Sequence, residues 1–185
     1  MIIFKGTAEA SMRNALEKLE KASTSHEQWV QDAAFQSATH SLVTLAVVMH
    51  RGDRPNDEDL AAFRQRVAEL LDRKNNRGNL SGYLADGATL AGRALQPGAY
   101  YEAALVRTVA QLLIDDYPGV ADQFDTHDRD DLADIDEALR EAAEEVPPLP
   151  EAGIPEGLPD THWWWRAPHG DPRTHELLHG SVHDL

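Results

Sequence analysis

The sequence predicts an all-α protein, a bundle of about six mostly antiparallel helices. Apolar residues recur at spacings of three and four over most of the chain, which is typical of amphipathic helices. Pro-Gly breaks such as Pro97-Gly98 and Pro118-Gly119 separate these stretches, and strand-like alternation does not extend beyond the first four residues. We therefore predict a helical bundle over 1–146, a proline-rich strap over 147–160 and a Trp/His-rich tail over 161–185 that packs on the bundle or on a partner.

The first two helices are predicted at about 7–22 and 25–50. Ser25 followed three residues later by Gln28 has the spacing of a capping box, in which two side chains satisfy free backbone N–H groups at a helix start. Gly52 and Pro55 end the second helix. Its predicted inner side carries Trp29, Ala33, Ala38, Leu42, Leu45 and Met49.

Asn56 and the three acidic residues after it predict the start of the third helix, because carboxylates suit the positive end of a helix dipole. The polar run Asn75, Asn76 and Gly78 is expected to end it. The remaining helices are predicted at about 80–95, 99–117 and 128–145. The fourth contains several glycines, which weaken a helix but allow close packing, and the fifth is apolar on more than one face, which predicts a central position.

The charge of the chain excludes several classes of function. The 185 residues carry a formal net charge of −15, which disfavours binding to nucleic acid and to anionic membranes, since both are polyanions. The chain has no Cys, so disulfides, zinc–thiolate sites and cysteine nucleophiles are excluded. It begins with too short an apolar run for a signal peptide, so we expect a cytoplasmic location. Abundant Arg and Ala are compatible with a bacterial source.

Most of the acidic excess lies in one segment. Residues 115–160 contain sixteen Asp and Glu against two Arg. Asp130, Asp134, Glu137 and Glu141 recur at helical spacing within the predicted sixth helix, and we interpret them as candidate contacts for a basic partner. The alternative interpretation is a solvated face that keeps the protein soluble. The neighbouring acids do not match a calcium-binding loop, because the glycine and the final glutamate of that loop are missing.

A short string near the end of the chain matches a zinc motif. His175 and His179 are four residues apart and so share one helix face, and Glu176 between them is placed to activate a zinc-bound water. His183 is the only histidine after the pair, and on an unbroken helix it would lie about 12 Å from His175 along the axis, too far to share one ion unless Gly180 breaks the helix. The three histidines are therefore candidates for a zinc or other transition-metal site, with a short amphipathic helix as the alternative.

Trp163, Trp164 and Trp165 are three of the four tryptophans of the chain. Large aromatic side chains dominate interface energetics, and three in succession cannot face one way on any regular element. The triplet either fills a groove between the helices of its own bundle, which we prefer, or anchors a partner.

Together these features favour a non-enzymatic protein-interaction module, a small accessory, adaptor or inhibitory subunit of a larger bacterial system. The expected partner is another protein with a basic or groove-like surface, and the sequence leaves self-association open. No cofactor is expected under this hypothesis. The alternatives are a zinc-dependent hydrolase that uses His175, Glu176 and His179, and a metal-binding bundle without catalysis.

Overall fold

The computed structural model describes residues 4–172, and within them the chain forms six α-helices joined by short turns. This part also contains three one-turn 3₁₀ helices and no strand. The all-α prediction is therefore confirmed. The helices are α1 (Ala8–Thr24), α2 (Gln28–His50), α3 (Asp57–Leu71), α4 (Lys74–Ala91), α5 (Ala99–Asp116) and α6 (Thr126–Ala142).

Short polar side chains begin three of these helices. The hydroxyl of Thr7 accepts a hydrogen bond from the backbone of α1, and the amide oxygen of Asn56 accepts one from the backbone N–H of Asp59 in α3. Asp125 and Asp128 form a reciprocal capping box at the start of α6, with distances of 3.0 and 3.1 Å. These contacts satisfy N–H groups that the helix itself leaves free.

The capping box predicted for Ser25 is wrong. Its backbone N–H closes the last turn of α1 by bonding to the carbonyl of Lys21, so Ser25 ends one helix before the next begins. Its hydroxyl accepts from the N–H of Glu27 at 3.2 Å, which orders the connection. The second helix begins at Gln28 without a side-chain cap.

The predicted boundary between α3 and α4 is also wrong. Asn75, Asn76 and Gly78 lie inside α4, which starts six residues earlier than predicted. Asn76 is fully buried, and its side-chain nitrogen donates to the carbonyls of Leu19 and Leu70 at 3.0 and 2.8 Å. An asparagine that would weaken an isolated helix is thus stabilised by contacts with two other helices.

The prediction that Trp29 and Ala33 lie on the inner side of α2 is wrong. Trp29 is 71% exposed, while Phe35 is buried in the core. At 100° per residue, Trp29 lies roughly 140° around the helix from Leu42, whereas Phe35 lies within about 20° of it. The buried face of α2 therefore continues from Leu42 to Phe35 at 3.6 residues per turn. Residues chosen at successive spacings of four rotate away from this face.

The centre of the bundle is α4, which contacts each of the other five helices. Gly87 makes one of these contacts possible, because a Cβ there would lie 2.5 Å from the Cγ1 of Val106 on α5. The fifth helix is buried over a wide arc, as its apolar composition predicted, and contacts α2, α4 and α6. No helix between residues 4 and 172 is both long and apolar enough to cross a membrane.

Candidate functional site

The tryptophan triplet lies at the end of the proline-rich strap and packs against α5 and α6. Trp163–Trp165 form a single 3₁₀ turn, which sends successive side chains in different directions. Trp164 and Trp165 are fully buried, whereas Trp163 is half-buried. The ring of Trp165 meets that of Tyr101 edge to face at 5.3 Å. The strap is therefore held to the bundle by two large aromatic side chains.

One hydroxyl on α5 orders both buried indoles. The Nε1–H groups of Trp164 and Trp165 donate to the Oγ1 of Thr108 at 3.0 and 2.8 Å, and this hydroxyl donates to the carbonyl of Ala104. Since a hydroxyl has one donor and two acceptor positions, Thr108 is fully satisfied. About two turns earlier on α5, the hydroxyl of Tyr100 donates to the carbonyl of Trp164 at 2.8 Å. Tyr100 and Thr108 thus bind both the backbone and the side chains of the triplet.

A partly buried ion pair joins α5 to α6 beside Trp164. Arg107 donates to both carboxylate oxygens of Asp136, at 2.8 and 3.3 Å, and to the amide oxygen of Gln111. The guanidinium lies 4.6 Å from the centre of the Trp164 ring. A cation over an indole face gains from the ring quadrupole, so the ion pair and the aromatic contact stabilise each other.

His162 precedes the triplet and is 1% exposed, with its ring 4.9 Å from that of Trp164. Burial lowers the pKa of His162 and the charge of Arg107 adds to this shift, whereas Asp115 and the backbone of Pro159 and Thr108 oppose it. The neutral form is therefore the one that suits this position.

Beyond the triplet, the chain pairs with the end of α6. The N–H groups of His169 and Gly170 donate to the carbonyls of Ala143 and Val146 at 2.9 and 2.8 Å. Gly170 lies so close to the backbone of Glu145 that a Cβ there would overlap its carbonyl. These bonds satisfy carbonyls near the end of the helix and fix the direction of the strap.

The four predicted acidic contacts lie together on the outer face of α6. Their side chains are exposed and, within residues 4–172, none of them forms an ion pair. Ile135 and Leu139 on the opposite face are fully buried. Burial raises the pKa of nearby Asp131, and the charges of Asp128 and Asp134 raise it further. We name this surface the acidic stripe, formed by Asp130, Asp134, Glu137 and Glu141.

Trp163 lies next to the acidic stripe. Arg140, which follows Glu137 by three residues on α6, places its guanidinium 4.7 Å from the centre of the Trp163 ring. The ring of Trp163 also contacts that of Trp164 edge to face at 5.8 Å. A partly open aromatic surface thus lies at Arg140, between Glu137 and Glu141 in the sequence, at the C-terminal end of the acidic stripe.

The structure separates the residues predicted to contact a partner into two groups. Trp163 and the acidic stripe remain accessible and adjacent. Trp164 and Trp165 do not offer a surface to a partner in this arrangement, because the bundle itself covers them. The predicted metal ligands His175, His179 and His183 lie outside the described residues. Among those that are described, no group of three or more His, Asp or Glu could hold a metal ion.

Sequence reasoning missed the residues of α5 that receive the strap. Tyr100, Arg107 and Thr108 stand in a helix that otherwise reads as apolar, and a polar group at a buried position needs a partner. Polar residues within an apolar helix were therefore the signal that sequence analysis could have used. That signal does not identify their partners, because Tyr100 and Thr108 bind residues more than fifty positions away in the chain. Comparison of the chain with protein-family models, with curated proteins and with solved structures found no match.

Proposed function

We propose that this protein is a non-enzymatic interaction module that binds a basic partner protein through the acidic stripe and Trp163. The observation that carries the proposal is a row of four exposed carboxylates that form no ion pair within residues 4–172, with the half-buried indole of Trp163 on Arg140 at one end of the row. Under this proposal the protein is a cytoplasmic accessory subunit of a larger bacterial system.

The energetics of the stripe support a partner of opposite charge. Like charges three and four residues apart on a helix repel one another, at a cost of about 0.2–0.5 kcal/mol per pair. A basic surface would remove that repulsion and would be steered towards the stripe by its field. Trp163 would add apolar contact area at one end of this surface, and tryptophan is enriched among binding hot spots.

The test is quantitative capture of partners from a lysate of the source organism at low and high salt. In one variant Asp130 and Asp134 become Asn, and Glu137 and Glu141 become Gln. The matched control changes Glu17, Glu27, Glu58 and Glu151 to Gln, which removes the same charge from exposed positions elsewhere. We expect the stripe variant to lose the partner, and the control to retain it at low salt.

A second variant, Trp163→Ala, tests the aromatic edge. We expect it to weaken retention at high salt, where screening has reduced the electrostatic attraction and apolar contact dominates. Equal loss in the stripe variant and its control would show that net charge alone attracts the captured protein, and the proposal would then be abandoned.

A further inference from the structure

A groove lies between α2 and α4, and α5 borders one end of it. It consists of two hollows of about 260 and 310 Å³ that share Gln36, Tyr83 and Asp86. Gly78 and Gly82 line the first hollow, and a Cβ on either glycine would meet nothing within 4 Å. The absence of side chains at these two positions leaves this part of the groove open to a close approach.

The groove contains an unsatisfied polar group. Asn79 lines the first hollow and is 7% exposed, and its side-chain nitrogen has no hydrogen-bond partner among the described residues. Buried donors in folded proteins are nearly always paired. This nitrogen is itself buried, so it marks an imperfectly satisfied point beneath the first hollow.

The two hollows differ in chemistry. The first is bordered by Asp32 and Gln28 as well as by Asn79, whereas the second is bordered by Leu90 and Val106. Asp32 and Asp86 form no ion pair within residues 4–172, and no Lys or Arg lines either hollow. A complementary ligand therefore carries a cation at one end and an apolar group at the other.

Trp29 stands beside this groove. It is the only large apolar side chain that is exposed in the described part of the chain. It follows Gln28, which lines the first hollow, and precedes Asp32 by three residues, so the two lie on neighbouring positions of the helix surface. An exposed tryptophan at the rim of a recess is typical of a protein-binding surface, because tryptophan is enriched in binding hot spots.

We propose that the groove between α2 and α4 binds an amphipathic basic helix of a partner protein. Its Lys or Arg side chains would pair with Asp32 and Asp86, and its apolar side chains would contact Trp29 and the second hollow. Residues 78–90 of α4 span about 18 Å, which matches roughly three turns of a bound helix. This surface is formed by other helices than the acidic stripe, so the inference goes beyond the proposed function and is independent of it.

Charge decides between this occupant and a second copy of the chain. A symmetric pair would bring Asp32 and Asp86 of both copies into one interface, on a protein whose net charge is already −15. Like charges across an interface oppose association. A basic helix meets the same surface with complementary charge.

The experiment measures binding of a labelled Leu/Lys peptide to the full chain by fluorescence anisotropy. The peptide has about 18 residues, enough to form a helix, with Leu on one face. A peptide of equal composition in scrambled order keeps the charge but lacks the apolar face. We expect the patterned peptide to bind at least about 10-fold more tightly than the scrambled one.

Two pairs of variants locate the site. Gly82→Leu occupies the open floor without changing the charge, and Ala61→Leu makes a comparable change at an exposed position of α3. Asp32→Asn with Asp86→Asn removes two charges from the groove, and Glu17→Gln with Glu58→Gln removes two from exposed positions outside both the groove and the acidic stripe. We expect each groove variant to weaken binding of the patterned peptide about 10-fold relative to its control.

Four results would overturn the inference. The scrambled peptide could bind as tightly as the patterned one, or the control pair Glu17→Gln with Glu58→Gln could weaken binding as much as the groove pair. Either result would mean that only the overall negative charge attracts the peptide. Displacement of the peptide by spermidine at equal charge concentration, or a stable dimer that Gly82→Leu dissociates, would assign the groove to a small cation or to a second copy. None of these results bears on the capture experiment with the acidic stripe.

Discussion

Replacing Thr108 by Val tests the attachment of the strap most directly. Valine has nearly the same shape, so it leaves no cavity, but it removes the oxygen that accepts from both Trp164 and Trp165. Both indoles are buried, and each unpaired buried donor costs about 1–3 kcal/mol. Partial entry of water reduces this cost, so we expect the variant to lose about 2–4 kcal/mol.

Thr44→Val is the matched control. Thr44 is also buried in a helix, and its hydroxyl makes a single bond to the carbonyl four residues before it, at 2.9 Å. No second group depends on that hydroxyl, and we expect a loss below about 1 kcal/mol. The difference between the two variants therefore isolates the contribution of the two indole bonds.

Urea unfolding followed by both tryptophan fluorescence and far-UV circular dichroism is the assay. In Thr108→Val, the fluorescence transition should shift to lower urea and precede the loss of helix, because the strap separates before the bundle unfolds. If Thr108→Val and Thr44→Val differ by less than about 0.5 kcal/mol, the two indole bonds do not hold the strap and the reasoning fails.

Two further predictions concern packing and pH. Gly87→Ala should lower the unfolding free energy by about 1–2 kcal/mol, because its Cβ would lie 2.5 Å from the Cγ1 of Val106. Gly82→Ala should raise it by about 0.5–1 kcal/mol, because it gains helix propensity in open space. Thermal unfolding measures the stability of both variants. A Gly87→Ala variant as stable as the unsubstituted protein would contradict the close packing of α4 on α5. Stability should fall as the pH drops below about 6.5, because burial lowers the pKa of His162 and the unfolded chain takes up that proton first. The same titration of His162→Phe should show a shallower fall, and an unchanged slope would remove His162 as the cause.

The contrast between α3 and α2 shows how far sequence patterns reach. The start of α3 was predicted correctly because Asn56 and the acids after it act on their own backbone, and that interaction is complete within one turn. The start of α2 was wrong because Ser25 closes the helix before it. Trp29 was assigned to the core because it is apolar, although the helical period counted from Leu42 already pointed it outward.

The candidate site was predictable only in part. The spacing of the four acids of the stripe assigns them to one face of α6. That face lies opposite Ile135 and Leu139, which pack in the core, so it is expected to face solvent. Which of the three tryptophans stays accessible could not be predicted, because it depends on where the 3₁₀ turn meets α5. The same holds for Asn79 and the groove, which exist only because α2 and α4 lie side by side.

The sequence by itself determined the all-helical class of this protein and the composition of the face that α6 presents to solvent. Helix formation, capping and chain breaks at Gly and Pro depend on neighbours a few residues apart. Only the tertiary structure decided that the glycine-rich α4 is the central helix, that Thr108 receives two indoles, and that Trp29 borders an open groove. Each of these depends on residues brought together from distant parts of the chain, whose burial and hydrogen bonding no local pattern specifies.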